Sequence, residues 1–198
     1  MDLREVWQSE SGDFTPWLAR PENIALLGET IGLDLVVLAQ EKEVGPFRAD
    51  ILCKDPTSEE LILIENQLER TDHTHLGQIL TYAAGLKTVT IIWVARRFTE
   101  EHRATLDWLN EITNEEFRFF GLEAEVWRIG DSAPAPKFNI VSQPNDWSRQ
   151  VSNRAGKLSR GELTPSRQLQ LEFWTAFSAF VEEGTYRFRT IKPGPQNW

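Results

Sequence analysis

Apolar and polar positions fall into blocks along this chain, and the blocks set out an α/β protein. Phe14-Thr15-Pro16-Trp17-Leu18 forms an aromatic anchor ahead of a first helix. That helix runs from Pro21 to Gly32, with the proline near its start and the glycine at its end. Leu33 to Ala39 predicts a first strand, and Glu41 to Pro46 carries it to a turn. Two strands follow, roughly 47–53 and 60–67, and the polar Asp55-Pro56-Thr57-Ser58 turn joins them as a hairpin. Thr71-Asp72 can cap a helix running from about His75 to Gly85. The nearly unbroken apolar run Val89 to Ala95 predicts a central strand covered on both faces. Thr99 to Ile112 reads as an amphipathic helix with Thr99 as N-cap and Glu100-Glu101 in its first turn. Leu122 to Ile129 alternates, which predicts a strand with one exposed face. Lys137 to Val141 adds an edge strand.

Beyond this block the pattern weakens. Asp131 to Pro136 is a Pro/Ala break. The stretch 145–164 is polar, carries Arg149, Arg154, Lys157 and Arg160, and reads as a basic linker with some helix. Pro165 to Glu183 predicts a second amphipathic helix, with Leu169, Phe173, Trp174, Phe177 and Phe180 on one face. The expected organisation is a 1–144 domain, a 145–164 linker and a 165–198 helical extension. The 165–183 helix offers a surface for a homodimer or a protein partner.

The chemistry concentrates between Phe47 and Tyr82. Asp50 sits in one apolar strand, and Glu65 and Gln67 sit two apart in the next. Residues i and i+2 of a strand share a face, so Glu65 and Gln67 point together and Asn66 points away. A hairpin lets Asp50 face Glu65. Isolated carboxylates in apolar strands are costly to bury. Convergent acceptors of this kind point to a divalent cation, Mg²⁺ or Mn²⁺, held by Asp50 and Glu65. Gln78 and Tyr82, four apart on the following helix, lie on one face that can close over the hairpin.

These residues resemble the PD-(D/E)XK nuclease superfamily, whose signature is an Asp on one strand and a Glu-x-Lys on the next. Asp50 fits the first position and Glu65-Asn66-Gln67 the second, with glutamine in place of the lysine. Gln78-Ile79-Leu80-Thr81-Tyr82 is similar to the Q-x-x-x-Y helix motif of several branches. Glu29 falls on a first helix where such proteins often place a supporting acid. The string E-N-Q-L-E-R-T-D-H-x-H-L-G-Q-x-L-T-Y-A-A-G resembles, more narrowly, bacterial proteins that join a nuclease-like domain to a DUF4268-type domain. The resemblance implies a restriction-endonuclease-like core, αβββαβ, with a central mixed sheet flanked by helices. It implies Asp50, Glu65 and Gln67 as catalytic residues, with Glu29, Gln78 and Tyr82 in support. Glutamine is neutral, so at position 67 it can orient a water but cannot act as a cation or base.

Composition adjusts this picture in three ways. The single cysteine, Cys53, excludes an intrachain disulfide and fits a reducing, cytoplasmic setting. No apolar run approaches the ~18 residues of a membrane span. The net charge of −9 opposes sequence-blind nucleic-acid binding, but it is uneven: residues 147–198 carry 8 basic against 4 acidic side chains. Arg96 and Arg97, after the central strand, together with His73, Arg149, Arg154 and Lys157, are candidate nucleic-acid contacts. His73 and His75 lack a second pair at zinc spacing. His102 reads as a solvated helix residue. The reading is a Mg²⁺- or Mn²⁺-dependent phosphodiesterase, an endonuclease acting on DNA in preference to RNA, with bacterial defence or DNA maintenance as its setting. The alternative is a nuclease-fold module that binds nucleic acid or a protein partner without cutting.

Overall fold

The computed structural model describes residues 1–44, 47–86, 90–114, 116–145, 147, 172–173 and 175–176. The chain divides into two units, Met1–Trp147 and Ser148–Trp198. In the second, Glu172, Phe173, Thr175 and Ala176 are helical and exposed. The rest of the expected 165–183 helix lies outside the described residues, as do Arg149, Arg154 and Lys157.

The first unit is a mixed α/β fold. Its elements are α1 (Thr15–Leu18), α2 (Pro21–Ile31), β1 (Val36–Val44), β2 (Phe47–Lys54), β3 (Leu61–Arg70), α3 (His73–Leu86), β4 (Thr90–Arg97), α4 (Glu100–Ile112), β5 (Arg118–Trp127) and β6 (Ala135–Ser142). The six strands form one sheet in sequence order. β1, β2 and β3 run antiparallel, β3, β4 and β5 run parallel, and β6 returns antiparallel to β5. Each parallel step is bridged by a helix, α3 and then α4, as parallel pairing requires. The αβββαβ order and central mixed sheet expected from the sequence are therefore present, extended by α4, β5 and β6.

Most elements form where the pattern placed them, and the exceptions have local causes. β1 begins at Val36 rather than Leu33. Gly32 ends α2 in the left-handed region at φ 73°, and Leu33 N–H then donates back to the Gly28 carbonyl, 3.0 Å. Leu33 is thus spent closing the helix. β5 begins at Arg118 rather than Leu122. Gly121 precedes the expected strand but lies inside the observed one. A Cβ there would sit 3.0 Å from Leu106 Cδ1 and from the Phe98 ring, so the glycine admits α4 and Phe98 close to the sheet.

β4 is buried from Thr90 to Ala95, as its unbroken apolar run predicts. One face of the sheet packs Leu63, Trp93, Phe119 and Ala49 against Ile79 and Tyr82 of α3 and Leu106 of α4. Cys53 is buried, and burial pushes its thiol up to about 12, so it stays a packing residue. Trp147 is also buried in this unit, donating from Nε1 to the Ile31 carbonyl at 2.6 Å. No helix among the described residues is long and apolar enough to cross a membrane.

Candidate metal centre

The antiparallel register of β2 and β3 pairs Ile51 with Ile64. Continued by one residue, it sets Asp50 opposite Glu65. There the main-chain ladder gives way to a side chain: Asp50 Oδ2 accepts from both Asn66 N and Asn66 Nδ2, each at 2.8 Å. Asn66 Oδ1 in turn accepts from Thr15 Oγ1 at 3.1 Å. These bonds orient the Asp50 carboxylate.

Glu65 is only 4% exposed, and its Oε2 has no hydrogen-bond partner. Burial, and next the Asp50 charge, push its carboxyl up to about 9. Burial likewise pushes Asp50 up to about 7, with the Asn66 amide pulling the other way and Glu41 adding to the rise. Two acids have been brought together out of water without a counter-charge.

The acids that press hardest on this pair are Glu41 and Glu10, neither of which the sequence pattern singles out. Glu41 sits in β1 at φ 50°, a left-handed conformation uncommon for a non-glycine residue, and its Oε1 is buried without a hydrogen-bond partner. Glu10 opens a π-helical turn, Glu10–Phe14, and its Oε1 accepts from Leu68 N at 2.9 Å. The positive φ in a strand is a structural sign with no counterpart in sequence. Glu10 lies 55 positions from Glu65 in the sequence, and no spacing rule connects them.

Glu29 is exposed on α2, whereas the charges of Glu41 and Glu10 bear on Asp50. Tyr82 is buried on α3. Burial, then the charges of Glu65 and Asp50, raise its phenol, which places it within their field. Gln78, one turn earlier, is half-buried.

Gln67 is 1% exposed, and its amide is committed at both ends. Its Oε1 accepts from Trp93 Nε1 at 2.9 Å, and its Nε2 donates to the Arg70 carbonyl at 2.9 Å. The amide expected to orient a water is thus taken up by the indole of β4 at its oxygen and by the Arg70 carbonyl at its nitrogen. Trp93→Phe leaves that oxygen buried and unpaired, at a cost of about 1–3 kcal/mol. Chemical denaturation of the variant should show this loss, and the double variant Trp93→Phe/Gln67→Leu should lose less than the two single changes combined.

Asp72 caps α3 through His75 N at 2.9 Å and pairs with His75 Nδ1 at 2.8 Å. His75 pulls the Asp50 carboxyl back down. His73 is exposed, and its Nδ1 lies 2.9 Å from Nε2 of His102. His102 is not solvated as its helix position suggests. It is 4% exposed, with Nδ1 2.8 Å from Thr71 Oγ1, because α4 turns it toward Trp93 and the start of α3. Arg96 pairs with Asp2 at 2.9 Å, and Arg97 is 76% exposed and 3.8 Å from Glu123.

Among the described residues, no three His, Cys, Asp or Glu side chains are grouped as a metal-ligand set. The convergence is a pair. The pair nonetheless suits a divalent cation, since Glu65 Oε2 is buried without a hydrogen-bond partner. Main-chain and solvent oxygens commonly complete such a coordination shell.

Fold and site together define a mixed α/β protein built around a buried acidic pair. No family model matches the chain, and no curated protein matches it. It is similar to a solved repair endonuclease from Pyrococcus abyssi, at 21% identity and TM-score 0.43, over 56% of this chain and 45% of that one. It is also similar to the structure of an EndoMS–dsDNA complex, at 21% identity and TM-score 0.37, over 50% and 44%. The chain spans less than half the length of either, and likeness at this level bears on neither substrate nor mechanism.

Proposed function

We propose that the chain is a metal-dependent phosphodiesterase acting on nucleic acid, with DNA as the favoured substrate. The observation that carries this reading is the buried Asp50–Glu65 pair with its unpartnered Glu65 oxygen. Asp50 and Glu65, with the main-chain carbonyl of residue 66, are the groups that would hold Mg²⁺ or Mn²⁺. Such an ion, when bound, lowers the pKa of water and stabilises charge on a phosphate. The bonds from Asn66 keep Asp50 in place, so the carboxylates need little rearrangement to bind.

Gln67 serves this site from behind. Its bonds to Trp93 and to the Arg70 carbonyl fix the end of β3, from which Asp72 and His75 follow. DNA rests on the resemblance carried by residues 47–85, and a role in bacterial defence or DNA maintenance rests on it too.

Cleavage of supercoiled plasmid, single-stranded DNA and RNA in Mg²⁺, Mn²⁺ or EDTA tests the reading. Metal-dependent nicking or cutting that EDTA stops is expected. No cutting of any substrate under any metal would favour a binding module instead.

A further inference from the structure

A cleft of about 480 Å³ opens at the carboxyl ends of the parallel strands β3, β4 and β5, and neither Asp50 nor Glu65 lines it. That volume is in the range of small-ligand sites, roughly 300–1,000 Å³. Arg70, Arg96 and Arg97 come from the ends of β3 and β4, and Trp127 from the end of β5.

The charges in this cleft are not equally available. Its three glutamates are already engaged. Glu69 pairs with Arg4, Glu123 Oε1 accepts from Phe98 N at 2.8 Å, and Glu125 Oε2 accepts from Trp127 Nε1 at 2.8 Å. Arg96 pairs with Asp2 at 2.9 Å, and the other two arginines are freer. Arg97 is 76% exposed with only a 3.8 Å approach to Glu123. Arg70 is exposed, and its guanidinium has no hydrogen-bond or ion-pair partner among the described residues. Guanidinium groups placed this way suit a phosphate.

Trp127 supplies the second half of the site. It is 61% exposed, and the bond to Glu125 fixes its indole edge, so a large aromatic face is presented to solvent. An exposed, held aromatic beside free arginines is the combination that binds a base and its phosphate together. Bases inside a duplex are stacked on one another, and extruding one costs a few kcal/mol. The arrangement therefore selects unpaired nucleotides.

We propose that this cleft binds an unpaired nucleotide of a nucleic-acid strand, its base on Trp127 and its phosphate between Arg70 and Arg97. The proposal rests on the nucleic-acid reading above and adds to it a preference for single-stranded segments.

The test is fluorescence anisotropy of the full chain with an end-labelled single-stranded DNA 15-mer and the same sequence as a blunt duplex, both in EDTA. Loss of one stacked base predicts that Trp127→Ala binds the single strand about tenfold more weakly. Trp127→Phe keeps an aromatic face and should stay close to wild type. Arg70→Ala and Arg97→Ala should each flatten the slope of log K against log salt by about 0.7, one phosphate contact apiece. The blunt duplex should not distinguish Trp127→Ala from wild type. Arg20→Ala, an exposed cation at the start of α2, controls for charge alone and should change nothing.

The proposal fails if wild type does not bind the single strand. It also fails if the Trp127 and arginine variants bind it as wild type does, or if Trp127→Phe loses as much as Trp127→Ala. Binding in EDTA does not depend on cutting. Trp127-dependent binding without cleavage would leave the cleft standing and remove the hydrolase, while cleavage without Trp127-dependent binding would do the reverse.

Discussion

Glu65→Gln should make the metal-free protein more stable at pH 8, although it removes a residue from the candidate catalytic centre. Burial pushes the folded carboxyls of Asp50 and Glu65 well above their ordinary range, up to about 7 and about 9. In the unfolded chain such groups titrate near 4. The folded state therefore holds protons that the unfolded state has released. The stability they contribute is complete below about pH 4 and is lost as pH rises through about 7 and about 9. Glutamine keeps the shape of Glu65 without the charge. Relief of an uncompensated buried carboxyl is worth about 1–3 kcal/mol. For a chain of this size that raises the melting temperature by roughly 2–12 °C. The gap between variant and wild type should close as pH falls toward 4, where Glu65 is protonated in both states. Melting curves from pH 4 to pH 9 in EDTA check both parts. A gap that is constant with pH would mean that Glu65 is not held as an uncompensated acid.

Asp50→Asn should abolish metal-dependent cleavage while leaving the fold in place. The variant keeps an oxygen able to accept from Asn66 N and Nδ2, so the link between β2 and β3 survives. It removes the negative charge a cation needs. Loss of an interaction of about 4 kcal/mol in the transition state corresponds to roughly a thousandfold in rate. Asp50→Ala should lose as much activity but also stability, because Asn66, itself 1% exposed, then keeps buried donors without their acceptor. Initial rates on plasmid, compared with melting temperatures, separate the two effects. If Asp50→Asn cuts within tenfold of wild type, the carboxylate is not part of the reacting centre.

Much of this architecture is legible in the sequence, and the reason is parity. The hairpin turn at Asp55 to Ser58 and the two-residue period of strands suffice to set Asp50 against Glu65. The unbroken apolar run at 90–95 suffices to place β4 in the middle of the sheet. Parity states which face a side chain takes, not what comes to meet it. Gln67 shares a face with Glu65, but Trp93, 26 residues later, reaches across from β4 and takes its amide oxygen. His102 looks solvated until Thr71 and His73 arrive from the start of α3. Glu10 and Glu41 join the acidic cluster through a π-helical turn and a left-handed strand residue, and neither leaves a periodic trace. Glu29, by contrast, lies on the expected helix and is exposed.

The most direct measurement is calorimetric titration of Mn²⁺ into the metal-free full chain at pH 8, with wild type and Glu65→Gln compared in the absence of nucleic acid. A cation centre built on Asp50 and Glu65 predicts saturable binding to wild type, with proton release as the raised carboxyls ionise, and loss of that binding in Glu65→Gln. Equal binding to both proteins, or none to wild type, would contradict it.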